Sequence, residues 1–335
     1  MKKRINFKDD ILLGNKSYFI LAILIIILTC LSPIFLTQAN LLNVIRQVCV
    51  TTIACAGYTL LLGSGHMDLS VGMILMLTGV VVAQLICNEV AIPIAIAIGL
   101  LLGAVCGMFN GVLITVFSLP PFIVTLGSQY IFKGLGYVLT GNVPVSNLPS
   151  EFVEIGQGYV GIIPIPVFIM IGTIIIISFL LSFTSYGRHA LAMGGNAEAA
   201  RACGININRV RIVSYGVLGA CAALASVVQT ARSASAQLSA GQDLSMDVIA
   251  AAVIGGTSMK GGNANVWGSL IGCLVVGIVS NGLNLLRVDA NWQIVAKGVI
   301  ILFAVILDAT TTRAYEKISI RNKVEQQHKE EKNGN

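Results

Sequence analysis

Charge is what this sequence has least of. Only 11% of its 335 residues are Asp, Glu, Lys or Arg, while 56% are hydrophobic. A soluble domain carries about 25% charged and about 45–50% apolar residues. This chain therefore cannot clothe a core in a surface fit for water, and it reads as a polytopic membrane protein. Carboxylates within the apolar runs are almost absent: Asp68 and Asp247 fall at turn edges, and Glu89 lies outside the runs. An ion-coupled secondary transporter of a small polar solute would need such groups to carry protons or sodium, so that alternative loses support. No GxxxxGK[ST] stretch occurs, which leaves the chain without a phosphate loop for hydrolysing ATP. The eight cysteines include no CxxC pair. Seven of them (Cys30, Cys49, Cys55, Cys87, Cys106, Cys221 and Cys273) lie in or beside apolar runs, where free cysteine behaves as a small hydrophobe. Neither a disulfide framework nor a metal site follows. His66 is the only histidine near a span, with no serine-nucleophile motif or paired aspartates beside it, which counts against an intramembrane protease.

What the chain does have is a succession of apolar runs. A bilayer core of ~30 Å takes ~20 residues of helix. Runs of suitable length lie near 18–36, 47–63, 70–87, 91–117, 122–140, 163–183, 212–230, 247–259, 264–286 and 292–310. The expected fold is all-α, a polytopic membrane protein of about ten transmembrane helices with some short or broken ones. The run after Met246 is short enough to be re-entrant. The first run is long enough to span and precedes no clean cleavage site, so it is read as a retained span. The 35 glycines suit such a fold, because small residues let helix backbones approach closely.

Basic residues cluster in three places: Lys2, Lys3, Arg4, Lys8 and Lys16 before the first run; Arg188, Arg201, Arg209 and Arg211 in one internal loop; and Arg313, Lys317, Arg321, Lys323, Lys329 and Lys332 after the last. Excess Lys and Arg marks the cytoplasmic side. An even number of spans puts both termini on one side, and six spans before the loop put it there too. The organisation expected is a cytoplasmic tail over 1–17, a transmembrane domain over 18–310 with a cytoplasmic loop at 184–210, and a cytoplasmic tail over 311–335. The tails mix acidic with basic residues and contain no nucleic-acid-reading module. The segment 141–162, with its prolines, reads as a structured cap on the other side.

The internal loop specifies a short capped helix. Gly194 and Gly195 end one segment, and Asn196 suits an N-cap. Glu198 sits in the first turn, where the helix dipole favours negative charge. Gly204 suits the left-handed position past the helix end. The alanines between them form a small-residue surface suited to docking on protein. A second feature is "GSGHMDLSVG" at 63–72. A lone histidine with one carboxylate lacks the ligands for a metal. The stretch reads instead as a turn between spans, with Asp68 capping the next helix through Ser70 or Val71 N–H. "LLLGSGHMDLSVG" and "AVIGGTSMKGGNA" share a faint likeness, as repeats in transporters do.

The loop "GRHALAMGGNAEAARACGI" (187–205) resembles the coupling loop of ribose-type sugar permeases of ABC importers, within a branched-chain-like superfamily. "DLSVG" (68–72), residues 110–141, "IAAAVIGGTSMKGG" (249–262), "NGLNLL" (281–286) and "WQIVAKGVIILFAVILD" (292–308) extend the resemblance over roughly 45–310. His66 and Lys260 depart from the usual residues of the family. The resemblance implies a non-catalytic permease subunit in a bacterial plasma membrane, translocating a monosaccharide such as ribose. Its implied partners are a cytoplasmic ATP-binding subunit that uses ATP and magnesium, an extracytoplasmic sugar-binding protein, and a second permease copy or paralogue. No cofactor is expected on this chain. ATPase coupling falls to Gly187, Arg188, Gly194, Gly195, Asn196, Glu198, Arg201 and Gly204. A structural turn or gate falls to Gly63, Gly65, Asp68, Ser70, Gly72, Gly255 and Gly256. Polar groups within the spans, Asn110, Gln129, Lys133, Asn281 and Asn284 with Gln229 beside them, are candidates for the substrate pathway.

Overall fold

Prolines and glycines decide where the helices stop and start. The computed structural model describes residues 16–289, 291–300, 302 and 306. Most of both basic tails and the end of the last apolar run lie outside the described residues. The first helix, α1 (Lys16–Leu31), gives way to a turn at Pro33, which has no N–H to continue the ladder. The single run expected over 18–36 is thus a helix and a turn. Thr37 then caps α2 (Gln38–Gly63) by accepting from Asn40 N–H. This helix begins nine residues before the expected 47, because Asn40, Asn43, Arg46 and Gln47 lower the hydropathy of its first turns without breaking it. The chain continues through α3 (Val71–Cys87), α4 (Ile92–Val116), α5 (Pro121–Thr140) and α6 (Ser150–Gln157). The strands β1 (Tyr159–Val160) and β2 (Ile163–Pro164) form a two-stranded antiparallel hairpin. Then come α7 (Ile165–Phe183), α8 (Ser185–Gly195), α9 (Ala197–Ala202), α10 (Ile207–Ser233), α11 (Leu244–Ile254) and α12 (Val266–Leu285). Residues 291–300 form a further helix, α13.

Among the described residues, α2, α4, α5, α7, α10 and α12 are long and apolar enough to cross a membrane, while α1, α3 and α11 are shorter. Each expected span from 18 to 286 therefore overlaps a helix, the described part of 292–310 is helical, and two further boundaries moved for clear reasons. The span expected at 212–230 starts at Ile207, inside the supposed loop, because Asn206 accepts from Arg209 N–H and caps it there. The span expected at 247–259 stops at Ile254, where Gly255 and the left-handed Gly256 (φ 89°) turn the chain.

Two helices form the axis of the molecule. Along α10 runs a face of small residues, and α4 meets it with Gly103, Gly107 and Gly111, one per turn. A Cβ on Gly107 would lie 2.0 Å from the Tyr215 carbonyl oxygen, and one on Gly219 would lie 2.0 Å from that of Gly103. Only glycine permits this approach, which makes dispersion contact between backbones the main cement where lipid removes the hydrophobic drive. On another side of α10, α2 packs through Gly57 against Cys221. Ile53, Tyr58, Leu61 and Leu218 are fully buried there. The outward faces of α4, α5 and α7 expose Leu101, Val138 and Ile176, as a lipid-facing surface requires. At one end, the segment 141–162 forms the expected structured cap: Phe152 is buried, and the Gln157 amide donates to the Arg232 carbonyl at 2.9 Å. The Arg46 guanidinium lies 4.5 Å over the Tyr159 ring.

Two short helices interrupt this frame. The 64–70 connection enters from one face of the bundle, and 234–243 enters from the other. Each leads into a helix whose N-terminus lies inside the bundle. Those N-termini, of α3 and α11, meet. Ser245 Oγ donates to the Leu69 carbonyl at 2.7 Å and accepts from Gly72 N–H at 3.2 Å. A Cβ on Gly72 would lie 2.0 Å from the Gly241 carbonyl oxygen. With 11 residues at ~1.5 Å each, α11 is about 16 Å long, so its N-terminus lies roughly half a bilayer from its other end.

Replacing Gly107 by Leu is expected to abolish the folded protein or lower its melting temperature in detergent by more than 10 °C, because the side chain has only backbone to displace. Gly134→Ala, with nothing within 4 Å of its added Cβ, is expected to shift melting by less than 2 °C. Equal shifts in the two variants would contradict the packing described.

Candidate functional site

The "GSGHMDLSVG" stretch is held by side chains from four helices, α2, α4, α10 and α11. Asp68 is fully buried, although its sequence position suggested a turn edge. Its Oδ1 accepts from Ser70 N–H and Ser70 Oγ, both at 2.6 Å, and its Oδ2 accepts from Asn110 Nδ2 of α4 at 3.0 Å. The carboxylate thus sits at the N-terminus of α3, where the helix dipole favours it. The expected cap through Ser70 is present. Tyr58 Oη of α2 accepts from Asp68 N–H at 3.3 Å, and Tyr215 Oη of α10 donates to the Met67 carbonyl at 2.9 Å. One turn before Tyr215, Arg211 Nε donates to His66 Nε2 at 2.9 Å, while His66 Nδ1 lies 2.9 Å from the Ser64 carbonyl. A ring nitrogen that accepts from arginine carries no proton, so the imidazole is neutral with its hydrogen on Nδ1. Burial, and then the Arg211 charge, hold the His66 pKa down at about 4.

A second cluster consists of backbone. Gly262 N–H donates to the Gly63 carbonyl at 2.8 Å, which joins the turn after α2 to the turn after α11. Gly194, near the end of α8, fills the space between them: a Cβ there would lie 2.1 Å from the Gly63 oxygen and 2.6 Å from Gly262 N. Gly65, Gly261 and Gly262 have φ of 80°, 82° and 79°, conformations that side chains rarely tolerate. The two stretches of faintly similar sequence therefore touch, and the internal loop touches both. Gly255 is buried against Gly268 in the same region.

Beyond this node the loop projects as expected. Asn196 Oδ1 accepts from Ala199 N–H at 3.0 Å and caps α9, and Gly204 has φ 83°. Glu198 and Arg201 are exposed. Arg188 is exposed and reaches Ser185 Oγ at 2.9 Å. Gly187 lets α8 fold back onto α7, since its Cβ would lie 2.3 Å from the Leu180 oxygen.

The polar groups within the spans separate into different roles. Asn110 belongs to the Asp68 network. Asn281 exchanges amide hydrogen bonds with Asn40 at 2.8 and 3.1 Å, joining α12 to α2. Asn284 is exposed and accepts from Gln293 at 3.0 Å. Lys133 and Gln129 are half-buried on α5, with Lys133 Nζ 5.7 Å from the Tyr137 ring. None of these five lines the cavity of about 400 Å³ found beside α11; Gln229 does. Sequence reading missed that cavity's charged members. Lys297 Nζ lies 2.9 Å from Asp243 and 3.5 Å from Asp247. The separation of these residues along the chain gave no signal, although a lysine inside the last apolar run could have served as one.

Two outcomes are expected here. Asp68→Ala leaves buried donors of Ser70 and Asn110 without an acceptor, at about 1–3 kcal/mol each, so melting should fall steeply. Asp68→Asn should be milder, because Asn110 Oδ1, buried without a partner, can turn to accept the new amide. Equal melting of the two variants would contradict the network. Separately, the depressed His66 pKa favours the fold only while the ring is neutral. That stability is complete above the ordinary value of 6.5 and is lost as pH falls towards about 4. Thermal unfolding followed from pH 7 to 4 should show this decline, and His66→Asn should flatten it.

Residues 40–305 match the family model described as branched-chain amino acid transport system / permease component. The ribose import permease of Bacillus subtilis is 42% identical over 92% of this chain and 96% of its own length. That of Escherichia coli K12 is 40% identical over 89% and 94%. The D-allose transport system permease of E. coli K12 is 38% identical over 87% and 90%. No solved structure matches. By the extent of these matches, the chain belongs to the branched-chain amino acid transport system permease family.

Proposed function

We propose that this chain is the transmembrane permease subunit of an ABC importer for a sugar, ribose or a related monosaccharide. The observation that carries the reading is the Gly63–Gly194–Gly262 node. It joins an exposed loop, rigidly capped at α9, to the two turns that lead to and from the helices interrupted inside the bundle. A force applied to α9 therefore reaches the membrane interior through backbone contact, with no flexible side chain between. Kinship with ribose and allose import permeases over most of the chain supports a sugar as cargo.

In this reading the α8–α9 loop is cytoplasmic, as its arginines suggest, and both tails lie on that side of a bacterial plasma membrane. A separate ATP-binding subunit docks on α9 and uses ATP and magnesium. The exposed Glu198 and Arg201 offer it charges of opposite sign, and the alanines between them let it approach closely. A sugar-binding protein delivers the solute to the opposite face, near the 141–162 cap. A second permease copy or paralogue completes the assembly, one for each ATPase. This chain performs no hydrolysis and binds no cofactor itself.

The carboxylates that an ion-coupled mechanism would titrate are already engaged: Asp68 in hydrogen bonds from Ser70 and Asn110, Asp247 with Lys297. That occupancy favours the importer over the ion-coupled alternative.

Reversing both charges on the loop, Glu198→Arg with Arg201→Glu, is expected to lower co-purification of the ATPase at least fivefold while the permease still folds and inserts. Undiminished co-purification would sink the docking assignment. Gly194→Val should retain ATPase binding yet cut ATP-driven sugar uptake in vesicles more than tenfold, because it breaks transmission rather than docking.

A further inference from the structure

The cavity beside α11 lies away from the glycine node, where α2, α3, α10, the 234–243 segment and α13 come together. Resting on the importer reading, we propose that it is the site through which the solute passes in the outward half of the pathway, and that its lining is built for an uncharged polyhydroxyl compound of monosaccharide size.

Size is the first argument. At about 400 Å³ the cavity falls in the ~300–1,000 Å³ range of small-molecule sites. Chemistry is the second. Four glutamines, Gln47, Gln229, Gln237 and Gln242, line it. Each side-chain amide both donates and accepts, as does every hydroxyl of a sugar. A ring bearing several hydroxyls can therefore exchange partners along this wall without leaving a polar group unpaired. Charge is the third argument. Arg232 and Lys297 balance Asp243 and Asp247, and Lys297 already bridges the two carboxylates at 2.9 and 3.5 Å. The lining is formally neutral, and a cationic solute would have to break that bridge to reach a carboxylate. An apolar amino-acid side chain fares no better. Among the described residues the apolar lining is confined to Val50, Leu75, Ala240 and Leu244, with no aromatic ring. Absence of a stacking surface also keeps the site weak, which suits a passage that must release what it takes up.

Access fits as well. Gln237, Ser239 and Gln242 are exposed on the 234–243 segment, and this segment leads directly to the junction of α3 and α11 at Gly72 and Gly241. Solute in the cavity therefore rests on the point where the two interrupted helices meet, and movement of that junction would open the way beyond it.

The test uses the complete transporter, with ATPase and binding protein, in proteoliposomes supplied with labelled ribose, xylose and allose. Ser239→Cys is treated with a bulky membrane-impermeant maleimide from the binding-protein side, and its own uptake before treatment is the reference. Uptake is expected to fall more than tenfold on modification, with treated wild type unchanged. Gln47→Leu should lose at least fivefold in uptake, and Gln47→Asn should keep more than half. Full uptake by modified Ser239→Cys, failure of the thiol to react, or wild-type uptake by Gln47→Leu would each overturn the cavity assignment and leave the importer reading standing. A wild-type complex that imports none of the sugars would overturn both.

Discussion

A buried carboxylate fixes the break in this molecule. Asp68 sits wholly out of solvent at the N-terminus of α3 and accepts hydrogen bonds from Ser70 N–H, Ser70 Oγ and Asn110 Nδ2. A carboxyl group in such a place is tolerated only when its oxygens are hydrogen-bonded. The surroundings supply the pairing: Ser70 from its own turn, Asn110 from α4 and the positive end of α3. Tyrosines from α2 and α10 then hold the backbone on either side. The result is a rigid entry for an extended segment that has no helical ladder of its own. Irregular backbone buried among helices needs protein partners for its polar groups, and these residues supply them here.

From that fixed break the rest follows. Because 64–70 is held, α3 can begin inside the bundle and meet α11 there, with Gly72 against Gly241. Because α11 is short, its far end returns to the level of Gly63, and Gly262 can donate to the Gly63 carbonyl. Because both turns consist of glycine at that point, Gly194 of the internal loop can enter between them. Three separate parts of the chain thereby share one backbone contact. Under the importer reading, that contact is the mechanical link between the site of ATP hydrolysis and the junction of the two interrupted helices. The polar cavity rests on the other side of the same junction.

Much of this was legible in the sequence, and the reasons are physical. Hydropathy is a property of lipid-facing segments, so α4, α5 and α7 stood out almost to the residue. Local capping chemistry is also a sequence property, and the α9 helix follows Asn196 and Gly204 as read. Where a helix is buried by protein, hydropathy no longer reports its limits: the start of α2 was hidden by Asn40 and Gln47, one of which pairs with α12 while the other lines the cavity. Asn110 could be flagged as unusual, but only the fold reveals that its partner is Asp68, 42 residues away. The ion pairs of Lys297 were invisible for the same reason. The likeness between the two glycine-rich stretches was read as a weak repeat. Its meaning is spatial, since both supply backbone to the same node.

The central claim is that the loop and the two turns move as one body. Pulsed electron paramagnetic resonance can measure it in the complete transporter. Spin labels would be placed at the exposed Cys203, just after α9, and at Lys260→Cys in the turn after α11, with the exposed Cys30 and Cys87 replaced by serine. The account predicts one narrow distance distribution, unchanged between the nucleotide-free and ATP-bound states, while transport proceeds. A change of about one helical turn, ~5.4 Å, or more on binding ATP would contradict it.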